Sequence, residues 1–406
     1  MVMKKVIVLG AGYGALSVVK ALNMRGIQVI LLCTARDDHA YCSRFVSERI
    51  IIPDPVDDSD GLLGLLMETR ENLDGALLIP TLDEYVIFIS QNRMRLKERY
   101  VFTVQDWRVV GRIVAKSQLY LQAQKDNVPV PRFFLPDSIE FLVKRQREFS
   151  YPFILKPNET HKFDRLYGRK NFIVRDFQKL IELFKDIQNN ELEVMMCEII
   201  PGKDSSIYSY RSYIDSQGDV LAEMCTQKLR QYPAGFGQGS VVRTIPLIPD
   251  IRDHALKLLR NLSYVGESSA EFKLDYRDNQ YKLMEINVRP VVTEWLFVKA
   301  GINFPYITYL DLMENIRIPS LDYCQDIYWI HNYWEAVNFL TSLRAGKLDL
   351  KEFLTPYWKK KVFVVPFSDD PKHFLIETYC NCKRALKKAV KAQRSFFDQT
   401  KDEVKL

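Results

Sequence analysis

Two short alternating runs joined by a polar turn constrain this chain more than any other feature. The runs are Ser269–Asp275 and Tyr281–Asn287. Alternation of apolar and polar residues predicts two half-buried strands, and the polar joint between them predicts a hairpin. If the turn is centred on Asp278, Glu271 and Glu285 each lie seven residues from its centre, so they face each other across the strands.

The two facing glutamates need a counter-charge. Opposed side chains in a hairpin have Cβ atoms about 4.5 to 5.5 Å apart, and like charges there destabilise the pair. A divalent cation removes the repulsion, and Asn287 adds a neutral oxygen on the same face. Such oxygen ligands suit Mg²⁺, with Mn²⁺ as an alternative ion. We therefore predict a metal site at Glu271, Glu285 and Asn287, and a surface hairpin with incidental glutamates is the alternative.

Two lysines before the hairpin are candidates for binding phosphate. Lys156 ends the apolar run 152–155 and precedes a proline, which places its ammonium at a strand end. Lys116 begins a predicted helix that ends before Pro129 and Pro131. A single lysine is usually an ordinary surface residue, so these two gain weight only in combination with the hairpin.

Six segments in a fixed order resemble the ATP-grasp superfamily, especially its carboxylate–amine ligases. The segments are Lys116, Val128–Pro131, Phe153–Pro157, Cys197–Gly202, Ala270–Phe272 and Glu285–Arg289. Each is weak by itself, but six in order between residues 116 and 289 form a specific pattern. The likeness extends over residues 1 to 315.

The resemblance implies a combined α/β and α+β fold. Residues 1–112 correspond to a Rossmann-like domain that precedes the ATP-grasp domain of the family. Residues 113–320 correspond to the ATP-grasp domain itself, with a small lid subdomain at about 120–196. Residues 321–406 are left as a helical or mixed C-terminal extension, in which several tryptophans predict a small packed unit.

The resemblance also assigns roles to single residues. In the family, two lysines hold the α- and β-phosphates of ATP, and they correspond to Lys116 and Lys156. The other correspondences are Glu198, Ile199 and Ile200 at the hinge that contacts adenine, Asp204 at the ribose, Glu271, Glu285 and Asn287 at magnesium, and Arg289 at the transferred phosphate or the tetrahedral intermediate. The implied reaction joins a carboxylate and an amine through an acyl phosphate and releases ADP and phosphate.

A glycine-rich loop between Arg230 and Arg243 is a candidate for binding a substrate carboxylate. Residues 231–240 contain three glycines, and arginine binds carboxylates bidentately. We favour Arg243 as a catalytic residue because a strand resumes directly after the loop, and an ordinary surface loop is the alternative. By contrast, the phosphate-covering loop of the family is poorly formed here, since Gly168 is the only glycine between Lys156 and Lys170.

The N-terminal segment GAGYGA supports a rival hypothesis. Residues 10–15 lie between the predicted strand Val6–Leu9 and a predicted helix, and a second strand follows at Val29–Cys33. This βαβ pattern fits a variant of the dinucleotide fingerprint, which would indicate an NAD- or FAD-dependent oxidoreductase. The expected ribose-binding acid is missing, because Asp37 and Asp38 come too late. We favour a tight turn that binds no dinucleotide.

The rest of the first domain predicts further strands at 76–79 and 100–104 and a helix at 84–96. Between them, Thr81, Asp83 and Glu84 in the PTLDE turn resemble a family segment at the cleft and are expected to reach substrate. A third hypothesis is a non-catalytic ATP-binding scaffold. The intact metal-binding pattern of the hairpin argues against it.

The composition predicts a folded protein of a reducing compartment. Seven scattered cysteines lack CxxC spacing, which excludes a typical zinc site and favours a cytoplasmic location. No run of about 18 apolar residues predicts a membrane span. The net charge of +6 includes a basic run from Lys383 to Arg394, which we interpret as a solvated helical face without a nucleic-acid partner. The expected partners are small, amino-acid-like carboxylates and amines, and the sequence leaves homodimer formation open.

Overall fold

The computed structural model describes residues 5–36, 39–68, 73–318 and 321–383 and arranges them around three sheets. Asp37, Asp38 and the basic run beyond Lys383 lie outside these residues. Within the described ranges, no helix is both long enough and apolar enough to cross a membrane.

A parallel sheet occupies the N-terminal part of the chain. Its strands are β1 (Val6–Leu9), β2 (Val29–Cys33), β3 (Glu48–Ile51), β4 (Ala76–Pro80) and β5 (Tyr100–Val101). They lie in the order β3-β2-β1-β4-β5 with parallel pairing throughout, which confirms the predicted Rossmann-like sheet. The helices here are α1 (Tyr13–Asn23), α2 (Ser59–Glu68), α3 (Asp83–Gln91), α4 (Arg93–Leu96) and α5 (Trp107–Val114).

Two elements of this region are shorter than the sequence predicts. The helix expected at 84–96 is divided into α3 and α4 at Asn92. The side-chain amide of Asn92 donates to the carbonyl of Phe88 at 3.0 Å, and side-chain bonds of this kind compete with the helical backbone pattern. The strand expected at 100–104 consists of Tyr100 and Val101 alone.

A second, antiparallel sheet follows. Its strands are β6 (Phe133–Phe134), β7 (Phe153–Pro157), β8 (Phe172–Val174) and β9 (Val194–Glu198), in the order β6-β9-β7-β8. The helices before and between them are α6 (Lys116–Lys125), α7 (Ile139–Arg145), α8 (Thr160–Tyr167) and α9 (Phe177–Asn189). This sheet corresponds to the predicted lid, and its apolar face packs on Leu180, Phe184 and Ile187 of α9.

The third sheet is the largest. Its strands are β10 (Ile207–Ile214), β11 (Val220–Tyr232), β12 (Gln238–Ile245), β13 (Gly266–Asp275), β14 (Gln280–Asn287), β15 (Tyr328–Ile330) and β16 (Lys361–Phe363). They lie in the order β14-β13-β10-β11-β12-β15-β16. The helices are α10 (Pro249–Asn261), α11 (Glu294–Ala300), α12 (Phe304–Tyr309), α13 (Asn332–Arg344) and α14 (Leu350–Leu354), and a further helix covers 371–383. The sheet therefore continues past the predicted boundary at residue 320.

Both faces of the N-terminal sheet are covered, as is usual for a parallel sheet. Ile7 and Leu9 of β1 belong to one apolar cluster, and Val6 and Val8 belong to another. The second cluster also contains Trp329 of β15. The C-terminal segment thus packs against the first sheet.

Candidate active site

A cleft of about 830 Å³ lies where the three sheets meet. The residues that line it include Asp83 of α3, Lys156 of β7 in the second sheet, and Lys228 and Glu271 of the large sheet. Asp83 reaches the cleft because α3 begins just after the carboxyl end of a parallel strand, the edge at which such sheets bind ligands.

Glu271 and Glu285 are direct cross-strand partners on the cleft, as the sequence predicts. The reason for the pairing differs from the prediction. Asp275 pairs with Gln280, so the turn is centred one half-residue earlier than Asp278, and a bulge that skips Met284 restores the register. Met284 is the unpaired residue of this bulge, and its carbonyl accepts a hydrogen bond from the hydroxyl of Tyr120 at 3.2 Å.

Two lysines neutralise the facing glutamates. Lys228 Nζ lies 2.7 Å from Glu271 Oε2, and Lys116 Nζ lies 3.2 Å from Glu285 Oε2. Lys116 lowers the pKa of Glu285 well below its ordinary value, more than burial raises it. Burial opposes the charge on Lys116, but Glu285 and neighbouring acids outweigh it and raise the pKa of this lysine. Each of the two glutamates thus has a lysine as its ion-pair partner.

The hairpin residues fit a magnesium ion. Glu271 and Glu285 present carboxylate oxygens to the cleft, and Asn287, which donates to Glu285 Oε1 at 3.3 Å, can turn its amide oxygen toward the same place. Across the described ranges, no group of three or more His, Cys, Asp or Glu residues could hold a metal. Two carboxylates with one amide are nevertheless enough for Mg²⁺, which shares its other positions with water and phosphate.

The predicted phosphate-binding lysines converge on this end of the cleft. Lys156 lines the cleft from β7, and its Nζ donates to the hydroxyl of Tyr120 at 3.4 Å. Burial lowers the pKa of Lys156. Lys116 lies at the start of α6 and lines the same cleft. The structure thus brings both lysines and the hairpin to one cavity.

The hinge residues Glu198, Ile199 and Ile200 also line the cleft. The carboxylate of Glu198 is already engaged, because it accepts from the backbone of Arg132 at 3.0 Å and pairs with Arg277. The carbonyl of Ile200 accepts from Lys273 at 2.8 Å. The Glu198 carboxylate and the Ile200 carbonyl therefore both have protein partners in this structure.

Asp204 does not line the cleft in this structure. Its carboxylate accepts from the backbone N–H of Gln231 at 3.0 Å and from the Gln231 side chain at 2.8 Å. This places Asp204 at the base of the glycine-rich loop, which itself lines the cleft from Pro233 to Gln238. A ribose contact at Asp204 requires these hydrogen bonds to rearrange.

The sequence prediction placed Arg243 and Arg230 beside a substrate, but neither residue lines the cleft. Arg243 donates to Gln227 at 2.9 Å and faces away from the cleft, whereas the adjacent Val242 lines it. Arg230 donates to Glu335 at 2.8 Å and lies over the ring of Phe353. Register shifts on either side of Arg230 defeat a simple count of alternating faces.

The segment expected to form a glycine-rich phosphate loop is a helix instead. Residues 160–167 form α8, and Gly168 ends it with a positive φ of 64°. Arg169 and Lys170 follow and line the cleft. Arg165 of this helix pairs with Asp54 at 2.7 Å and with Asp57 at 2.6 Å, which joins α8 to the segment between β3 and α2.

The GAGYGA turn is filled by protein contacts. Gly10 has φ of 94°, and a Cβ there would lie 2.8 Å from Thr81 Oγ1, so the close approach requires glycine. A Cβ on Gly14 would contact the carbonyl of Pro290 at 3.4 Å. The hydroxyl of Tyr13 donates to Glu377 at 2.6 Å. Of the PTLDE residues, Thr81 is buried against Leu9 and only Asp83 is among the cleft-lining side chains.

Several cleft residues were missed by the sequence prediction. Lys228, Lys273 and Arg211 lie on alternate positions of β11, β13 and β10 and face the cleft. Arg211 forms ion pairs with Glu267 and Glu294. Strand alternation would have found these cations once the face of Glu271 was fixed. Trp334 of α13 also lines the cleft and has no such pattern.

This three-sheet arrangement, with facing acids opposite two lysines, resembles the ATP-grasp fold. Residues 247–300 match the family described as "Carbamoyl-phosphate synthase L chain, ATP binding domain". The chain has the ATP-grasp fold, and its resemblance to the ATP-grasp superfamily and its carboxylate–amine ligases is confirmed.

Three similar proteins illustrate this relationship. D-aspartate ligase of Enterococcus faecium (strain Aus0004) is 25% identical over 249 residues, 59% of each chain. D-alanine--D-alanine ligase of Wolbachia sp. subsp. Drosophila simulans (strain wRi) is 25% identical and covers 50% of this chain and 66% of its own. The structure of N5-carboxyaminoimidazole synthetase from Staphylococcus aureus complexed with ADP superposes with a TM-score of 0.62 at 14% identity, covering 84% of this chain and 86% of that one.

The chain spans less than two thirds of the length of the two ligases. None of the three proteins is an oxidoreductase, so the dinucleotide hypothesis has no support among them. The contacts of the GAGYGA turn agree with a structural role.

Proposed function

We propose that this chain is an ATP-dependent carboxylate–amine ligase that forms an amide or peptide-like bond and releases ADP and phosphate. One observation carries the proposal. Glu271 and Glu285 are cross-strand partners on the cleft, and each is matched by a lysine that phosphate can compete for. The relatives named as amino-acid ligases support the same reaction class.

The chain's cations would hold the phosphates of ATP, which is a substrate of this reaction. Lys116, Lys156 and Lys228 surround the facing glutamates from three elements. Exchange of a carboxylate for a phosphate oxygen keeps each lysine paired, so nucleotide binding leaves no buried charge alone. Phosphate near Lys156 would also favour its protonated form, which burial opposes here.

Glu271, Glu285 and Asn287 would hold Mg²⁺ once the two lysines have turned to phosphate. When bound, the ion neutralises charge on the transferred phosphoryl group. Arg289 lies two residues after Asn287 and lines the cleft. Its guanidinium would stabilise the negative charge that develops there.

The reaction needs no nucleophile from the protein. A substrate carboxylate attacks the γ-phosphate, the bond to ADP breaks, and an acyl phosphate forms. The amine then attacks the acyl carbon, loses a proton and expels phosphate. Both steps concentrate negative charge, so the cations of the cleft provide the stabilisation.

The proposed substrates are amino-acid-like, because the two ligase relatives are named for aspartate and alanine. The scattered cysteines without CxxC spacing support the proposed cytoplasmic location. The division at residues 112 and 320 and the formation of a homodimer stay predictions.

The first test is Glu285→Gln, which removes one charge from the proposed magnesium site and keeps the side-chain shape. ADP release from Mg-ATP should be measured with pairs drawn from a panel of amino acids. We expect kcat to fall about 100-fold or more, because the lost ligand costs a few kcal/mol of transition-state stabilisation.

The matched control is Glu182→Gln on α9, whose side chain is 66% exposed and far from the hairpin in sequence. It should leave kcat unchanged. Equal activity of Glu285→Gln and wild type would contradict the metal assignment. ATP binding without ADP release by the wild type, for every pair, would favour a non-catalytic scaffold.

A further inference from the structure

One ion pair of the cleft joins the first sheet to the end of the metal hairpin. Arg289 Nε lies 2.6 Å from Asp83 Oδ1, and Arg289 Nη2 lies 2.9 Å from Asp83 Oδ2. The two residues are 206 positions apart in the chain and both line the cleft. The contact is thus bidentate, and it joins the predicted N-terminal domain to the predicted ATP-grasp domain.

The surroundings make this pair strong. The side chains of Arg289 and Asp83 are 19% and 37% exposed. Burial alone would raise the pKa of Asp83, but Arg289 outweighs it, and the pKa is lowered. Planar fork-to-carboxylate contacts are both stronger and more directional than single bonds from lysine.

The geometry uses only one edge of the guanidinium. Nε and Nη2 point to Asp83, whereas Nη1 has a weak contact of 3.4 Å with the carbonyl of Pro290. Arginine carries five N–H donors in a fixed plane, so fixing one edge also fixes the direction of the other. The free edge remains available to an anion in the cleft.

The lysine pairs nearby differ in this respect. Lys116–Glu285 and Lys228–Glu271 are single contacts between a flexible ammonium and a metal-site carboxylate. They can exchange partners when phosphate enters. Asp83 is outside the predicted metal set, so nothing draws it away from Arg289 when that exchange occurs.

We propose that Asp83 is a positioning residue, which holds the guanidinium of Arg289 so that its free edge meets the developing negative charge. The inference rests on the proposed ligase function and adds a residue to it. It assigns the first sheet a direct part in catalysis, because Asp83 begins α3 directly after β4. Misplacement of such a group by about 1 Å can cost about 100-fold in rate.

A masking role is the competing explanation. In that case Asp83 would occupy the fork that a substrate carboxylate needs, and its removal would improve binding of that substrate. The two roles predict opposite results. If Asp83 positions Arg289, removal of the Asp83 carboxylate lowers kcat. If Asp83 masks Arg289, the same removal lowers KM for the acid substrate and leaves kcat unchanged.

The test compares Asp83→Asn and Asp83→Glu with wild type, using kcat and separate KM values for ATP and the acid. Asp74→Asn is the matched control, since Asp74 forms a 2.6 Å pair with Arg99 in the turns before β4 and β5, outside the cleft lining. We expect Asp83→Asn to lower kcat about tenfold to 100-fold, with both KM values changed less than about threefold.

Asp83→Glu should recover part of kcat, because the carboxylate remains, and the melting temperatures of Asp83→Asn and Asp74→Asn should agree. An unchanged kcat in Asp83→Asn, or a lower KM for the acid, would overturn the inference while leaving the ligase function intact. If Asp83→Asn does not fold, Asp83→Glu decides the matter, since a kcat equal to wild type contradicts positioning. A wild type without ADP release would remove the proposed function and this inference with it.

Discussion

The hairpin β13–β14 and the C-terminal segment 321–383 both form walls of the cleft, but they do so in different ways. The hairpin presents charged side chains whose places follow from strand alternation. The C-terminal segment presents Trp334, which stacks on His331 at 3.8 Å between ring centroids and lies 5.9 Å from Tyr232. The side chains of the hairpin wall follow a local strand pattern. The C-terminal wall depends instead on contacts such as that of Trp334 with Tyr232, which are distant in sequence.

The C-terminal wall is fastened by a buried polar network. Glu335 is 1% exposed and accepts from Ser240 at 2.7 Å, from Arg230 at 2.8 Å and from Asn338 at 3.1 Å. Asn338 also donates to the carbonyl of Gln231 at 3.1 Å. The helix α13 therefore holds both ends of the glycine-rich loop. In the proposed function, the comparison assigns the chemistry to the hairpin and the shape of the cleft to the C-terminal segment.

The largest effect expected on the C-terminal side is on stability. Glu335→Gln leaves Arg230 without its carboxylate, and breaking a buried pair costs about 3 kcal/mol. We expect the melting temperature to fall by about 3 to 4 °C. At a temperature where the variant is folded, kcat should change little. Calorimetry and ADP release measure the two properties.

Glu352→Gln is the control for this change, because Glu352 lies in the same segment and is exposed. An equal loss of kcat in Glu335→Gln and Glu285→Gln would contradict the expectation that Glu335 shapes the cleft and takes no part in the reaction.

A smaller effect is expected at the aromatic wall. Trp334→Leu removes the indole that lines the cleft beside Tyr232. We expect KM for one of the two amino-acid-like substrates to rise about fivefold, as for a lost aromatic contact, with KM for ATP unchanged. Trp358→Leu, at a residue that is 84% exposed, is the control. A rise in KM for ATP instead would place Trp334 at the nucleotide.

The same division explains what the sequence could predict. Alternation in two adjacent strands predicted that Glu271 faces Glu285, and the pair is correct although the turn centre was wrong, because the bulge at Met284 compensates. The sequence around Met284 gives no sign of the bulge. The carbonyl of Met284 accepts a hydrogen bond from Tyr120 of α6, which is distant in sequence.

Arg243 failed for a different reason. The prediction rested on the place of Arg243 directly after the loop and took no account of its face. Arg243 pairs with Gln227, and its side chain lies on the far face of the sheet beside that residue. Asp83 was expected at the cleft, but its contact with Arg289 was not predicted, and Trp334 was missed, since these contacts join segments about 200 and 100 residues apart. Pattern indicates which face a residue occupies, and tertiary packing decides what it meets.

The most direct test of the account is the stoichiometry of the reaction with and without magnesium. Wild-type protein, ATP and a reacting pair from the amino-acid panel should be sampled for ADP and amide product over time, with EDTA added to a parallel reaction. The account predicts one ADP for each amide bond formed and neither product with EDTA. Amide formed without ADP, or equal rates in EDTA, would contradict it.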